Sequence, residues 1–564
     1  MRSLEPRNGL PPGGLLEFGL VAAAFAALTV AFTYPLAFHL GSIGYKVHVL
    51  GDGQYSIWNI AWVAHALLTD PVHVLDANIF YPHKATLIYS EANLLTGALG
   101  VPVYWLTGGN PYATHNFVVL LSFVLSATGT YYLARYLVGD RRAALIAAIG
   151  FAYCPYAFSR LPHIQLLMTA GIPFSLLAFH RLTDHPTPGR GMALGLAMGL
   201  QALACAYYGI FVVLLVGLAV VIAAGSRRLW KDWRYWAALA AGAAVALALV
   251  LPLFVAYRSL QQDTGFARAL DEARSYSATW RTYLRSGAYL SSPLEAVPTQ
   301  ASDTTAQDES DVLFPGFIPT LFGVVALVQA WRARGRDGQI ALLYGCLAAL
   351  AFWESFGPAG GLYTLTYRTI PAFSFLRAPS RFGVIVTFSL AILAAGAIAN
   401  MLRRSSKPAL AAAVLLLFAA AEHISAFRFT DVPPLEPAYR VLAMQPPGAL
   451  IEMPPLSAAK AYTRTQYMLN STVHWMPLVN AYSDYTPEDF SRNLGVLAGF
   501  PSAAAFEVLP AGVRYATFHI EEYKKNGVMD TLTNSLEAFS PYLRRVYADD
   551  RIWLFEITGR PQAR

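Results

Sequence analysis

A chain of 564 residues could hold several soluble domains, but 55% of its residues are hydrophobic and only 13% charged. That is about half the charged share of a soluble domain, too little to cover a soluble surface of this size. The net charge of +7 sits in short basic clusters between apolar runs, so no nucleic-acid-binding face is expected; Cys154, Cys205 and Cys346 all fall inside apolar runs, so no disulfide framework is expected either.

Repeated apolar runs of about 17–25 residues are each long enough to cross a hydrocarbon core of about 30 Å. The first, 15–40, follows Arg2 and Arg7. It is too long for a signal-peptide core and has no clean small-x-small cleavage site, so it reads as a retained span. Further spans are expected near 113–137, 143–158, 163–182, 191–205, 206–225, 235–257, 313–331, 339–356, 379–402 and 408–426, eleven in all. Segment 93–107 is also apolar, but Pro102 and Gly108-Gly109 interrupt it. It is expected to lie along or re-enter the outer face, because a full crossing would put every later basic cluster on the wrong side.

Lys and Arg in short loops set orientation. With the N-terminus inside, the inside junctions carry Arg135, Arg141 and Arg142, then Arg181 and Arg190, then Arg227, Arg228, Lys231 and Arg234. They continue with Arg332, Arg334 and Arg336, and with Arg403, Arg404 and Lys407, whereas the short outside turns at 159–162 and 206–208 hold only Arg160. Two long loops, 41–112 and 258–312, then face outward, as does everything from 427 to 564; loops this long are usually functional.

The first outer loop contains Gly51-Asp52-Gly53-Gln54, then a Trp-rich run from Tyr55 to Leu68 whose Trp58 and Trp62 share a helical face and suit the membrane interface. Asn78-Ile79-Phe80-Tyr81-Pro82-His83-Lys84 and Ser90-Glu91-Ala92-Asn93 follow. Asp52 between glycines also reads as a turn residue or helix cap, and Glu91 as a solvated loop residue. Glu354, near the outer end of its span, is costly there and merits a functional hypothesis. His163 opens the fourth span at the outer face, where an interfacial histidine is the plain alternative.

Near the outer end of the tenth span stands Phe375-Leu376-Arg377-Ala378-Pro379-Ser380-Arg381-Phe382. Pro379 fits a first helical turn, and free N–H groups flanked by two guanidinium forks make an anion site. Snorkelling is the competing explanation, although these arginines lie on the side where the positive-inside rule disfavours them.

After 427 the chain becomes more charged and its runs shorter. Strands are expected at 449–453 and 513–520, a hairpin over 546–555 turning at Asp549-Asp550, and helices at 486–497 and 528–540, which makes a small α/β domain. It holds no nucleophile elbow, P-loop, dinucleotide fingerprint or metal-ligand spacing.

The layout resembles the C-type polytopic glycosyltransferases that use lipid-phosphate sugar donors, and most closely their bacterial members. Gly51-Asp52-Gly53-Gln54, Phe80-Tyr81-Pro82, Ser90-Glu91 and Arg377-Ala378-Pro379-Ser380-Arg381-Phe382 carry the likeness by motif, and the spans carry it by architecture. The resemblance implies a mostly α membrane fold of about eleven spans with an extracytoplasmic α/β domain. It implies transfer of a hexose or pentose from a polyprenyl-phosphate donor to a glycan, lipid or protein acceptor at the outer face of a bacterial inner membrane. Asp52 would act as base on the acceptor hydroxyl, Arg377 and Arg381 would hold the leaving phosphate, and Glu91, His163 and Gln54 would bind substrate. A divalent cation (Mg or Mn) on Asp52 is an open alternative. The chain departs from many members in one respect: the family's paired acidic motif is a lone Asp52 here, with Asp70 the next acid downstream. That leaves the base and any metal requirement in question. Two other functions compete. A transporter or flippase for a lipid-linked sugar would need ionisable groups deep in the membrane, where only Gln201 stands out, and a non-catalytic envelope assembly protein would leave the Asp52 and arginine constellation unused.

Overall fold

The structure, a computed structural model, describes residues 14–45, 50–265, 268–285, 312–330, 335–424 and 429–562. Its membrane part contains α1 (Gly14–Phe32), α2 (Asp52–Thr69), α3 (Leu94–Leu106), α4 (Pro111–Val138), α5 (Arg141–Ala152) and α6 (Pro155–Ser159). It continues with α7 (Ile164–Leu167), α8 (Gly171–Asp184), α9 (Pro188–Ala204), α10 (Ala206–Ser226), α11 (Trp233–Thr264) and α12 (Leu270–Ser275). The last five helices are α13 (Phe317–Ala330), α14 (Arg336–Ser355), α15 (Leu362–Thr369), α16 (Gly383–Arg404) and α17 (Pro408–Glu422). A helix or a broken pair of helices occupies each of the eleven expected spans, and seven are long and apolar enough by themselves to cross a membrane. The chain is a multi-pass membrane protein.

Two expected spans are interrupted. The third breaks between α5 and α6, where Pro155 starts a new turn, and the fourth between α7 and α8. Backbone groups freed inside a membrane must find partners within the protein. Gln201 of α9 supplies them: its Nε2 donates to the Met168 carbonyl at 2.7 Å and its Oε1 accepts from Gly171 N–H at 2.8 Å. The polar residue deepest in the sequence pattern is therefore spent on the break rather than on a transport path.

The basic junctions gather on one side. Glu17 of α1 pairs with Arg135 and Arg141 at the α4–α5 corner, and Asp184 at the end of α8 pairs with Arg227 at 2.6 Å and Arg336 at 3.1 Å. Arg2, Arg7, Arg332 and Arg334 lie outside the described residues, as do 266–267 and 286–311 of the second long loop.

On the opposite side, α3 runs through Pro102 and ends at Gly108 and Gly109, both in the left-handed region (φ 65° and 89°). Its 13 residues rise about 20 Å, short of a crossing. The expectation that Trp58 suits the membrane interface is corrected by the fold, whereas Trp62 stays partly exposed. Trp58 is fully buried with Nε1 donating to Asn78 Oδ1 at 3.1 Å, and Trp62 Nε1 donates to the Val74 carbonyl at 2.9 Å. The loop after α2 folds back over that helix, and burial of large aromatics outweighs interfacial placement.

The C-terminal region joins the same layer, opposite the basic junctions. A short strand β1 (Ile43–Tyr45) pairs antiparallel with β2 (Phe429–Asp431), tying the first outer loop to the chain after α17. Beyond it come α18 (Pro437–Ala443), β3 (Ala449–Met453), α19 (Thr465–Asn470), α20 (Glu488–Leu497), α21 (Ala503–Val508), β4 (Val513–His519), α22 (Ile520–Lys525) and α23 (Met529–Ala538). The hairpin β5 (Leu543–Ala548) and β6 (Ile552–Ile557) completes a four-stranded sheet of order β3-β4-β6-β5, with β3 and β4 parallel and the other pairs antiparallel. Trp58, Phe80, Leu87 and Tyr89 of the first loop share one core with Leu450, Ile451, Met453 and Phe518 of this sheet. Backbone hydrogen bonds between Tyr81 and Leu478, and between Tyr485 and Tyr89, stitch the two together at 2.8 and 3.0 Å. This shared core places a loop of the C-terminal region beside the start of α2.

Candidate active site

Asp52 is the first residue of α2, and Gly51 before it adopts φ 113°, a conformation that a side chain would strain. The Asp52 side chain does not cap its own helix. It reaches away, with Oδ2 accepting from His163 Nε2 at 3.0 Å and Oδ1 accepting from the Tyr482 hydroxyl at 3.3 Å. His163 is held at the start of α7, one residue after Pro162, whose carbonyl accepts from Ser56 of α2 at 2.9 Å. The Asp52 side chain keeps 45% exposure, and that of His163 10%. Burial raises its pKa, but the hydrogen bond and charge of His163, the charge of Arg377 and the Tyr482 hydroxyl outweigh it, and the carboxyl falls to about 2. Asp52 is therefore a fixed negative charge at neutral pH.

Arg377 precedes, and Arg381 lies within, the turn Pro379–Phe382 that leads into α16. Tyr207 clamps this turn, its hydroxyl donating to the Ala378 carbonyl at 3.0 Å and accepting from Ala378 N–H at 2.6 Å. The Arg381 guanidinium lies 4.4 Å from the centre of the Tyr207 ring, and that of Arg377 lies 4.9 Å from the centre of Tyr276. Two acids face Arg377, Asp484 at 3.6 Å and Glu272 at 4.0 Å, but Arg268 holds both more closely, at 2.7 and 3.2 Å. At its distances Arg377 makes ion pairs without hydrogen bonds, so its fork can turn to another anion.

Glu91 is wrapped by protein. It accepts from the N–H groups of Ala206 at 3.0 Å and Tyr207 at 3.4 Å, which are orphan donors at the start of α10. Burial raises its pKa against those two bonds and the nearby charge of Arg381. Its carboxylate thus ties the first loop to α10 and to the arginine turn. Gln54 faces elsewhere: its Nε2 donates to Gln466 at 2.7 Å and its Oε1 accepts from Thr465 at 2.9 Å, both in the C-terminal region. Glu354 accepts from the Thr366 hydroxyl at 3.3 Å. The structure therefore brings Asp52, His163 and Arg377 together and sets Glu91 beside Arg381, while Gln54 is taken up by the seam.

Sequence reasoning missed four residues that frame the site. Tyr482 and Asp484 come from the C-terminal region, which no local pattern placed here, and Arg268 and Glu272 from the second long loop. Asp484 also accepts from Ser90 at 2.7 Å, and the Ser90 carbonyl accepts from Tyr257 of α11 at 2.7 Å. The only signal in the sequence is the polar, aromatic run Asn480-Ala481-Tyr482-Ser483-Asp484-Tyr485, which suits neither a strand nor a helix.

Among the described residues no group of three or more His, Cys, Asp or Glu could hold a metal ion. Asp52 and His163 give two ligands, already bonded to each other, with the positive charge of Arg377 close by. That donor set does not fit a resident divalent cation.

Between α3, α4, α8 and α9 lies a largely apolar cavity of about 620 Å³. Leu95 and Ala204 line one end, next to the bond between Glu91 and Ala206, and Leu99, Phe174, Leu177 and Leu196 continue it toward the basic side.

No protein-family model and no curated protein matches this sequence. Solved structures match in fold. ArnT from Cupriavidus metallidurans in the apo state aligns with a TM-score of 0.50 and 16% identity, over 97% of this chain and 99% of that one. The arabinofuranosyltransferase AftD from Mycobacteria aligns with a TM-score of 0.55 and 16% identity, over 96% of this chain and 41% of that one. The fold is that of the C-type polytopic glycosyltransferases.

Proposed function

We propose that the chain is a glycosyltransferase that moves a sugar from a polyprenyl-phosphate donor to an acceptor hydroxyl at the outer face of a bacterial inner membrane. The observation that carries this is the pairing of Asp52 with His163 at 3.0 Å, on the same side as Arg377 and Arg381, where the apolar cavity ends. The positive-inside count supports the outer placement, because the basic junctions collect on the other side.

In this scheme the lipid tail occupies the cavity and its phosphate turns toward Arg377 and Arg381. The acceptor oxygen attacks the anomeric carbon as the bond from that carbon to the phosphate oxygen breaks. The acceptor proton goes to the Asp52–His163 pair, and the phosphate leaves with its electron pair as an anion. A carboxylate near pKa 2 is a weak base by itself. Its stronger role is to orient His163 and to hold the positive charge formed when the pair takes the proton, as the acid does in other nucleophile-activating constellations. The leaving phosphate needs charge rather than a proton, which guanidinium groups supply. No step runs through a metal, and transfer should survive chelation of divalent cations.

The experiment is transfer by purified protein in vesicles given a panel of polyprenyl-phosphate sugars, with released polyprenyl phosphate as the readout. Release that depends on an acceptor supports a transferase. Movement of intact lipid-linked sugar between leaflets with no release would make the protein a flippase instead.

A further inference from the structure

A second cleft, of about 910 Å³, opens between the C-terminal region and the first outer loop. It lies off the other face of α2: Asp52 starts that helix, whereas His65 in the cleft comes thirteen residues later. That separation is about 20 Å along the helix and about 140° around it. The volume falls within the range of small-molecule sites.

Its two walls differ in chemistry. One is aromatic: Trp475 stacks on His65 with ring centres 4.6 Å apart and planes within 15°, and its indole Nε1 donates to the Tyr104 hydroxyl at 3.2 Å. Trp475 has φ 52°, a backbone conformation that bulky residues rarely adopt, held by its N–H donating to the Ser471 carbonyl at 2.7 Å. The other wall is polar and includes Asn470, His519 and Glu522. His519 is fixed from behind, since its Nε2 donates at 2.9 Å to the fully buried carboxylate of Glu452, which leaves Nδ1 as the ring's remaining polar atom. On the rim, Arg551 pairs with Glu436 at 2.8 Å and lies 3.9 Å from Glu521; with Glu522 also in the lining, three carboxylates stand against one guanidinium and the wall is acidic.

We propose that this cleft is a carbohydrate-binding site separate from the Asp52 site, for an uncharged oligosaccharide. A sugar ring has an apolar C–H face and a rim of hydroxyls that both donate and accept. Those features match an aromatic wall on one side and carboxylate, amide and imidazole groups on the other. The acidic rim disfavours phosphorylated or uronic sugars. The lip at Thr107–Asn110 adjoins Trp105 and Leu106, which are 70% and 72% exposed, so the cleft opens at the bilayer surface.

The test uses the full chain in lipid nanodiscs and linear hexasaccharides of glucose, mannose and arabinofuranose, free and attached to a lipid in the same disc. At least one should bind saturably with an affinity in the micromolar to millimolar range and slow amide exchange over 470–476 and 519–522. Trp475→Ala should weaken it at least about tenfold, with Trp475→Tyr retaining most of the affinity. Glu522→Ala on the rim, which removes no internal contact, should also weaken binding and guards against a misfolded Trp475 variant. Asp52→Asn should bind as the wild type does, so a failure of the transferase mechanism would not be mistaken for a failure here. Tighter binding of the lipid-carried form would give the bilayer as the source and equal affinities a free glycan; both support the site. Absence of saturable binding, wild-type affinity in both cleft variants, loss of binding in Asp52→Asn, or binding of unstructured peptides alone would overturn it.

Discussion

Asp52 and His163 are 111 residues apart in sequence, yet their side chains meet at 3.0 Å, joining the start of α2 to the turn before α7. Neither residue distinguishes itself from a cap or an interfacial histidine until that contact exists. With it, a carboxylate at the start of a helix is held against an imidazole from a distant turn.

The first test is Asp52→Asn. Asparagine keeps an acceptor for Tyr482 and fits the same space, so insertion and thermal stability in detergent should change little. Sugar transfer should fall at least about a hundredfold, as expected for loss of a general base or its partner. Normal transfer by this variant would remove Asp52 from the mechanism.

The arginines separate by geometry rather than charge. Arg377 and Arg381 both stack on tyrosine rings, and a lysine keeps the charge but loses the planar fork. The double variant Arg377→Lys, Arg381→Lys should lose at least about tenfold in transfer, chiefly as weaker use of the donor. Full activity would return both residues to the role of membrane anchors.

Asp484 tests whether the C-terminal region is part of the site. It binds Ser90 and Arg268 and faces Arg377 at 3.6 Å, so Asp484→Asn should let the arginine cluster shift. Stability should change by about 1 kcal/mol or less, since the pairs are partly solvated. Transfer should drop about tenfold or more, because small misplacements at a site cost rate. Kinetics unchanged from wild type would make Asp484 a purely structural tether.

The pH dependence has a definite sign. The Asp52 carboxyl is lowered from 3.8 to about 2 in the folded protein, so its ionised form stabilises the fold at any pH above about 3.8. That contribution is lost as pH falls through about 2. The difference in melting temperature between wild type and Asp52→Asn should therefore be flat from neutral pH down to about 4 and shrink below it. A difference that stays unchanged as pH falls through about 2 would contradict the lowered Asp52 carboxyl.

Orientation is checked by fusion after Arg564. A fluorescent protein that folds only in the cytoplasm should stay dark there, and alkaline phosphatase should be active. The opposite pattern would invert the topology and move the site to the cytoplasmic face.

The multi-pass helical character, the basic loop ends and the strands of the C-terminal region were legible in the sequence. They rest on short-range signals: apolar runs as long as a bilayer is thick, Lys and Arg at loop ends, and alternation with turn residues. As candidates, Arg377 and Arg381 stood out as charges where the positive-inside rule disfavours them, and Asp52 as an acid between glycines early in a long loop. The partners of those charges were not legible. Tyr482, Asp484, Arg268 and Glu272 carry no local signal, because what selects them is the shared core of Trp58 and Phe80 with Leu450 and Phe518, formed by segments hundreds of residues apart. Burial of that core also moved Trp58 from the lipid surface to the protein interior and committed Gln54 to the seam. Sequence pattern decides which side of the membrane a residue occupies, because a bilayer sorts residues by polarity alone. Which residues touch is decided by packing, because only close contact in three dimensions turns a lone carboxylate into one held at about pKa 2 by a histidine, an arginine and a tyrosine.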